Sequence, residues 1–320
     1  MITVYVIIAS ILFLLLSMLL EWVDRKVYAH VQHRVGPFVT GYHGILQPLA
    51  DFLKLMNKEE VIVEGSDEFL LHAMPILSLS LVLFALLFIP ITSIEGILSL
   101  RGDLIIILAV SVIIHVLYIV TGLSQPSFFA SVGAARWGQL LVSFEVPLLL
   151  SVASAALVAN SITLSDIVSF QISNFPIGFF APLSLLATLF SSLAKLEKTP
   201  FSIPDAETEI AGGWLVEISG RRLAIFRIVT DAKYLLLSSL VVTLFLGGPS
   251  GPVLPGLEPI MYTLWFLIKL IIVAMILSYI RGIVARYRID QAIRLFWFRI
   301  TPLAALNLVV LIVLSTIGVI

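Results

Sequence analysis

Apolar residues along this chain gather into long unbroken runs, and the short stretches between them hold nearly all of its charge. The runs fall at Ile2–Trp22, Leu70–Ile91, Leu104–Val120, Ala134–Ala159, Phe175–Leu196, Ala232–Gly247, Ile260–Ile280 and Ile300–Ile320. Each is close to the roughly 17–25 residues that a helix needs to cross the hydrocarbon core, so the pattern predicts about eight transmembrane helices. Helices are expected rather than a barrel, because the runs are continuously apolar and a segment in lipid must satisfy its own backbone hydrogen bonds. The first run lacks the basic leader and small-residue cleavage pattern of a signal peptide and is expected to stay as the first helix. No internal repeat is visible, which disfavours transporters built from inverted repeats. The fold class is thus all-α, a single polytopic membrane domain over residues 1–320.

The polar stretches are unequal. Basic residues concentrate in alternate loops, at about 23–69, 197–231 and 281–299, with Arg136 bordering another at 121–135, while the other loops hold almost none beyond Arg101. By the positive-inside rule the large loops face the cytoplasm and both termini face outside, in a cell membrane. Within the first loop, Gln47–Asn57 places Leu49, Phe52, Leu53 and Met56 on one helical face and Asp51, Lys54 and Lys58 on the other, with Pro48 suited to a helix start. An amphipathic helix on the membrane surface is expected there, either covering the bundle or serving a site.

Composition sharpens this picture by exclusion. The chain is 60% hydrophobic and 12% charged with a net charge of -1, so no basic stripe marks a nucleic-acid partner. Cysteine is absent, which excludes disulfides, thiolate catalysis and cysteine-ligated iron–sulfur clusters in this chain. No nucleophile, phosphate-loop, dinucleotide or zinc-helix motif occurs, and no catalytic or metal residue is assigned.

What remains is charge in apolar surroundings. Glu145 stands in the middle of the fourth run, where an ionised carboxylate is costly and therefore paired, protonated or functional. Lys269 lies in the seventh run about three turns from Arg281, too deep to reach the surface easily, and is expected to find a carboxylate partner. His115 in the third run is either a proton shuttle or an ordinary hydrogen-bonded histidine. Glu21 closes the first run as an interfacial anchor or a site residue. In the fifth loop Asp205, Glu207 and Glu209 precede Glu217; Asp205 and Glu209 would share a helical face, where neighbouring carboxylates raise one another's pKa. The alternative is a solvated acidic loop.

Three motifs in order then become recognisable: Glu21-Trp22-Val23-Asp24-Arg25-Lys26, Gln32-His33-Arg34-Val35-Gly36-Pro37, and Gly44 through Lys54. With Arg136, Ser143-Phe144-Glu145, Thr199-Pro200-Phe201, Pro204 through Glu209 and Arg286-Tyr287-Arg288-Ile289-Asp290-Gln291, they resemble the NuoH-type subunit of respiratory complex I along essentially the whole chain. That family includes the equivalent membrane subunits of energy-converting [NiFe] hydrogenases. The resemblance implies an eight-helix subunit that docks a hydrophilic redox arm and begins a path of charges toward ion-pumping subunits. Glu21, Asp51, Glu145, Asp205, Glu207, Glu209, Glu217 and Lys269 would then couple ion movement. Arg25, Arg34, Lys54, Arg136, Arg286, Arg288 and Asp290 would line the cavity or dock the arm.

The departures point to the hydrogenase-like branch. Complex I members read Glu-Thr-Asn-Arg where this chain has Lys195-Leu196-Glu197-Lys198, an acid replaced by a base, and Arg227-Ile228-Val229-Thr230-Asp231 replaces a further aromatic and acidic stretch. The expected partners are hydrogenase-like large and small subunits, an iron–sulfur subunit, antiporter-like membrane subunits and lipid. The chain itself is expected to carry no cofactor, with the [NiFe] centre and iron–sulfur clusters in the partners. Two other readings stay open: a quinone-chamber subunit of an NADH- or F420H2-linked complex I, and a stand-alone secondary ion transporter with Glu145 and Lys269 at its site.

Overall fold

The computed structural model describes residues 2–317, and within them every regular element is helical. In chain order these are α1 (Ile2–Val31), α2 (Gln47–Met56), α3 (Glu68–Leu86), α4 (Asp103–Leu123), α5 (Phe128–Ala159), α6 (Leu164–Ser173), α7 (Ile177–Phe180) and α8 (Pro182–Lys195). They continue with α9 (Glu207–Ile210), α10 (Gly220–Phe245), α11 (Glu258–Ile283), α12 (Ile289–Leu295) and α13 (Thr301–Thr316). Among the described residues, 7 helices are long and apolar enough to span a bilayer, the last running unbroken from Ile289 to Thr316. Together with the family found below, they make this an integral membrane protein.

The fifth apolar run is the exception. It is broken at Ala181 into α7 and α8, because Pro182 lacks the amide a continuous helix would need and Ala181 leaves the helical region at φ -124. At 14 residues, α8 covers only about 21 Å of the membrane.

Most spans start or stop elsewhere than hydropathy suggests, several of them extending into stretches that carry charge. α10 begins at Gly220, twelve residues before the apolar run, so Arg221, Arg222, Arg227 and Asp231 are helical rather than loop. α10 is central, packed by α1, α2, α3 and α11; Arg222 is buried within it, Arg227 and Asp231 face the cavity described below, and Arg221 is exposed at its start. α5 likewise begins at Phe128, leaving Arg136 two turns inside it. The seventh connection shrinks to residues 284–288, since the chain re-enters helix at Ile289 and passes Pro302 by a π turn at Phe296–Ile300, which absorbs the missing amide. The expected final span reaches Ile320, of which residues 318–320 lie outside the described part.

Exposed leucine, isoleucine, valine and phenylalanine side chains coat the outward faces of α1, α3, α4, α5, α11 and α13, as lipid contact requires. Polar structure gathers at one end. There α2 lies against α10 and α1 as the expected amphipathic helix, with Pro48 in its first turn. The segment after it is clamped to the start of α10: the amide of Val61 donates to Ser219 Oγ at 3.0 Å, and Arg222 pairs with Glu60. The 197–219 segment folds down over the bundle, admitted by two glycines. Gly133 packs against Gly213, where a Cβ would lie 2.9 Å from the Gly213 Cα, and Gly213 itself adopts φ +56 with the Pro204 carbonyl 1.9 Å from where its Cβ would be.

Candidate functional site: a charged cavity and an ion-paired file

This end of the bundle encloses a cavity of about 980 Å³ between α1, α2, the 197–215 segment, and the adjoining ends of α10 and α11. Its walls carry many charged side chains. From α1 come Glu21 and Arg25, one helical turn apart and paired at 2.9 Å. Arg25 also donates to Asp51 of α2 at 2.5 Å, and Gln47 supports the same carboxylate at 2.9 Å. Burial pushes Asp51 upward, but the hydrogen bonds from Arg25 and Gln47 outweigh it and hold the carboxyl below the usual range.

Behind this wall Asp24 is wholly buried and gathers three donors: Lys198 at 2.7 Å, the Ser278 hydroxyl at 2.6 Å, and Arg281. Lys198 also reaches Glu21 at 3.4 Å and lies 3.8 Å from the ring centre of Tyr234, so its ammonium is held by two carboxylates and an aromatic face. Asp24 thus ties α1, α11 and the loop after α8 into one corner of the cavity.

A second set of charges leads from the cavity into the bundle. Glu197, on the cavity wall, follows α8 in the left-handed conformation at φ 56. It accepts from the Trp214 indole at 3.1 Å and from Lys233 of α10 at 3.5 Å. Burial pushes the Glu197 carboxyl up to about 7, against the pull of Lys233. Lys233 is itself buried, 4.2 Å from the Tyr118 ring centre, and its ammonium reaches the Lys195 carbonyl at 3.5 Å. Lys195, wholly buried at the end of α8, donates to both oxygens of Glu145 at 2.9 and 3.2 Å and to Ser111 Oγ at 2.9 Å. His115 closes the arrangement, with Nε2 2.9 Å from the Lys195 carbonyl and Nδ1 2.5 Å from the Ser111 carbonyl. Glu197, Lys233, Lys195 and Glu145 therefore form a file of acid, base, base and acid. Such a file transmits charge effectively, because each member sits where solvent screening is weak.

The residues singled out in the sequence divide clearly. Glu21, Arg25, Asp51, Lys54, Asp205, Glu207 and Arg286 line the cavity. Arg34 is exposed over Tyr28 and lines a side recess of about 380 Å³ with Glu21, Arg25 and Arg281. Glu145 sits at the inner end of the file. Asp205 and Glu209 do not share a helical face, because α9 spans only Glu207–Ile210. Glu209 instead bridges Arg136 at 2.5 Å and Arg286 at 2.7 Å at the rim, and the Arg136 hydrogen bond holds it below the usual carboxylate range. Asp205 is raised, by burial first and by Glu207 among its neighbours. Glu217 is half-buried outside the cavity, and Arg288 and Asp290 open α12 away from it, the Arg288 amide being capped by Gln291 at 3.1 Å.

Lys269 corrects an expectation. Among the described residues it pairs with no carboxylate; its ammonium is held by the carbonyls of Leu246, Gly248 and Ser250, at the opposite end of α10 from the cavity. The buried lysines that do find acids are Lys195, Lys198 and Lys233, and Lys195 is the one that reaches Glu145. Asp24, Lys195, Glu197, Lys198 and Lys233 are the functional candidates that sequence reasoning missed. Lys233 could have been found by the rule that flags Glu145, had α10 been extended to its true start.

A helical membrane protein with a charged chamber at one end, feeding ion pairs into its interior, is the class that this fold and site define. The model of the NADH dehydrogenase family matches residues 3–312, and the chain belongs to that family. It is similar to the NADH-quinone oxidoreductase H-subunit of Dehalococcoides mccartyi, 32% identical over 299 residues that cover 93% of this chain and 82% of the relative. The second such H-subunit of Rhizobium meliloti is 33% identical over 306 residues, covering 93% and 92%. That of Geobacter sulfurreducens is 33% identical over 314, covering 95% and 93%. The resemblance carried by the three motifs is thereby confirmed at the level of the family.

Proposed function

We propose that this chain is the membrane anchor and coupling subunit of a multi-subunit redox complex. Its cavity end docks a hydrophilic electron-transfer arm and links the reaction there to proton or sodium movement. The observation that carries this reading is the file Glu197–Lys233–Lys195–Glu145. Buried ions are costly to maintain, and a purely structural bundle has no need to string four of them inward from a chamber. A change of charge in the chamber shifts Glu197, then the two lysines, then Glu145. The basic residues around the chamber favour a cytoplasmic location for that end by the positive-inside rule, and the rim residues Arg136, Glu209 and Arg286 offer a polar surface for the arm.

The finer reading is a hydrogenase-type complex, with hydrogenase-like and iron–sulfur partner subunits carrying the [NiFe] centre and clusters, and antiporter-like subunits in the membrane. It is supported by the chamber walls, where acids and bases pair with one another in an arrangement suited to conveying a field rather than holding an apolar ring. The second reading, a quinone chamber, is favoured by the names of the relatives and by a volume of about 980 Å³. Metal analysis and a subunit inventory of the native complex separate the two. Nickel with hydrogen evolution supports the first, and cavity-dependent reduction of quinone analogues supports the second. The coupling role is tested by Glu145→Gln in lipid vesicles: redox turnover is expected to continue while ion transport is lost, and intact transport removes Glu145 from the path.

A further inference from the structure

At the end opposite the chamber α10 stops at Phe245, with the Leu246 amide closing back onto the Val242 carbonyl. The chain turns through residues 246–252 before α11 begins at Glu258. The Lys269 ammonium enters this turn from α11. Its Nζ lies 2.7 Å from the Leu246 carbonyl, 3.0 Å from that of Gly248, 2.7 Å from that of Ser250 and 3.0 Å from Ser250 Oγ. An ammonium has three protons to donate, yet four oxygens crowd it. That is the coordination shell of a small monovalent cation, built from neutral oxygens, and among the described residues no carboxylate forms an ion pair with Lys269. Next along the turn, the Trp265 indole donates to the Pro252 carbonyl at 2.9 Å, so a second α11 side chain grips the same segment.

We propose that residues 246–250 form a monovalent-cation cradle permanently filled by the chain's own ammonium, and that Lys269 is a positioning residue rather than a member of the ion path. Neutral carbonyls and a hydroxyl accept hydrogen bonds but take no proton near neutral pH, so Lys269 has no group to which it could pass one. What it does is hold the turn that leaves α10 and fix it to α11. α10 carries Lys233 at its midpoint, so the cradle also keeps that lysine in register with Glu197 and Lys195. The ligand class of the cradle, once the tether is cut, is a primary ammonium ion.

The test uses the intact purified complex in detergent. Lys269→Ala deletes three carbons and the ammonium, the atoms of n-propylammonium, and is expected to lower the thermal midpoint. Propylammonium chloride should then restore at least half of the loss, and tetramethylammonium chloride at equal ionic strength should not. Lys269→Met lowers the midpoint too but keeps the channel filled, so propylammonium should fail to rescue it. Should the alanine variant not assemble, Ser250→Ala, which removes one of the four oxygens, is expected to assemble with a lowered midpoint. The proposal is overturned if Lys269→Ala is as stable as the parent, if propylammonium and tetramethylammonium act alike on it, or if Ser250→Ala is needed and leaves the midpoint unchanged. It is equally overturned if the alanine variant loses ion transport per electron with no loss of stability. The stability readout is independent of which ion or acceptor the complex uses.

Discussion

Replacing Lys195 with methionine removes an ammonium that is wholly buried and bonded to both oxygens of Glu145, while keeping a stem of similar length. Glu145 is then left with 13% of its side chain exposed and no cation beside it, and Ser111 Oγ loses its donor. Removing one partner of a buried ion pair costs about 3–5 kcal/mol, because the remaining charge keeps its desolvation penalty without its attraction. Replacing both partners with neutral groups removes the charge altogether. Lys195→Met/Glu145→Gln should therefore be more stable than Lys195→Met alone, with an interaction energy on the order of 2 kcal/mol. The assay is a thermal denaturation series on the purified complex for the parent, both single variants and the double variant at constant pH and salt. If the double variant loses the sum of the two single losses, Glu145 and Lys195 do not support one another and the file has no inner link.

Other outcomes follow from the same geometry. Because burial raises Glu197 from 4.5 to about 7, the folded chain binds that proton more tightly than the unfolded chain does. Its contribution to stability is present below pH 4.5 and is lost as pH rises toward 7, at about 1.4 kcal/mol per pH unit in that window. Glu197→Gln should flatten that slope in a pH series of denaturation midpoints; an unchanged slope means the group responsible lies elsewhere. Gly213→Ala forces a side chain into a positive-φ site beside the Pro204 carbonyl. A left-handed residue with a Cβ costs about 1–2 kcal/mol before any clash, so limited proteolysis should cleave the 197–219 segment faster. Arg136→Ala leaves Glu209 with Arg286 alone and should weaken retention of the redox arm in size-exclusion chromatography, most visibly at high salt.

Length and hydropathy made most of the spans legible, because a helix facing lipid has to be apolar along its exposed face. α10 was legible only in its outer half. The half nearer the chamber carries Arg221, Arg222, Arg227 and Asp231, charges that read as a loop although they are helical. The break at Ala181 came from Pro182 inside a run long enough to seem continuous. Charge in apolar sequence identified Glu145 correctly as a residue needing a partner, but a one-dimensional rule cannot say which lysine supplies it. Lys195 lies 50 positions away and is brought to Glu145 by the packing of α8 on α5. Lys269 illustrates the converse: its need for acceptors is met by carbonyls of the turn that follows α10, a source invisible before the end of that helix is placed. The cavity acids were legible from the motifs, whereas Asp24 stood in a motif with no role of its own because its three donors come from residues 198, 278 and 281.

If the file conveys the chamber's charge state to Glu145, Lys233 is its longest-reaching link, at 3.5 Å from both Glu197 and the Lys195 carbonyl. Ions moved per electron, measured in sealed vesicles containing the complex with Lys233→Met, test that role most directly. Continued redox turnover with the ratio falling to zero is the predicted result; an unchanged ratio would contradict it.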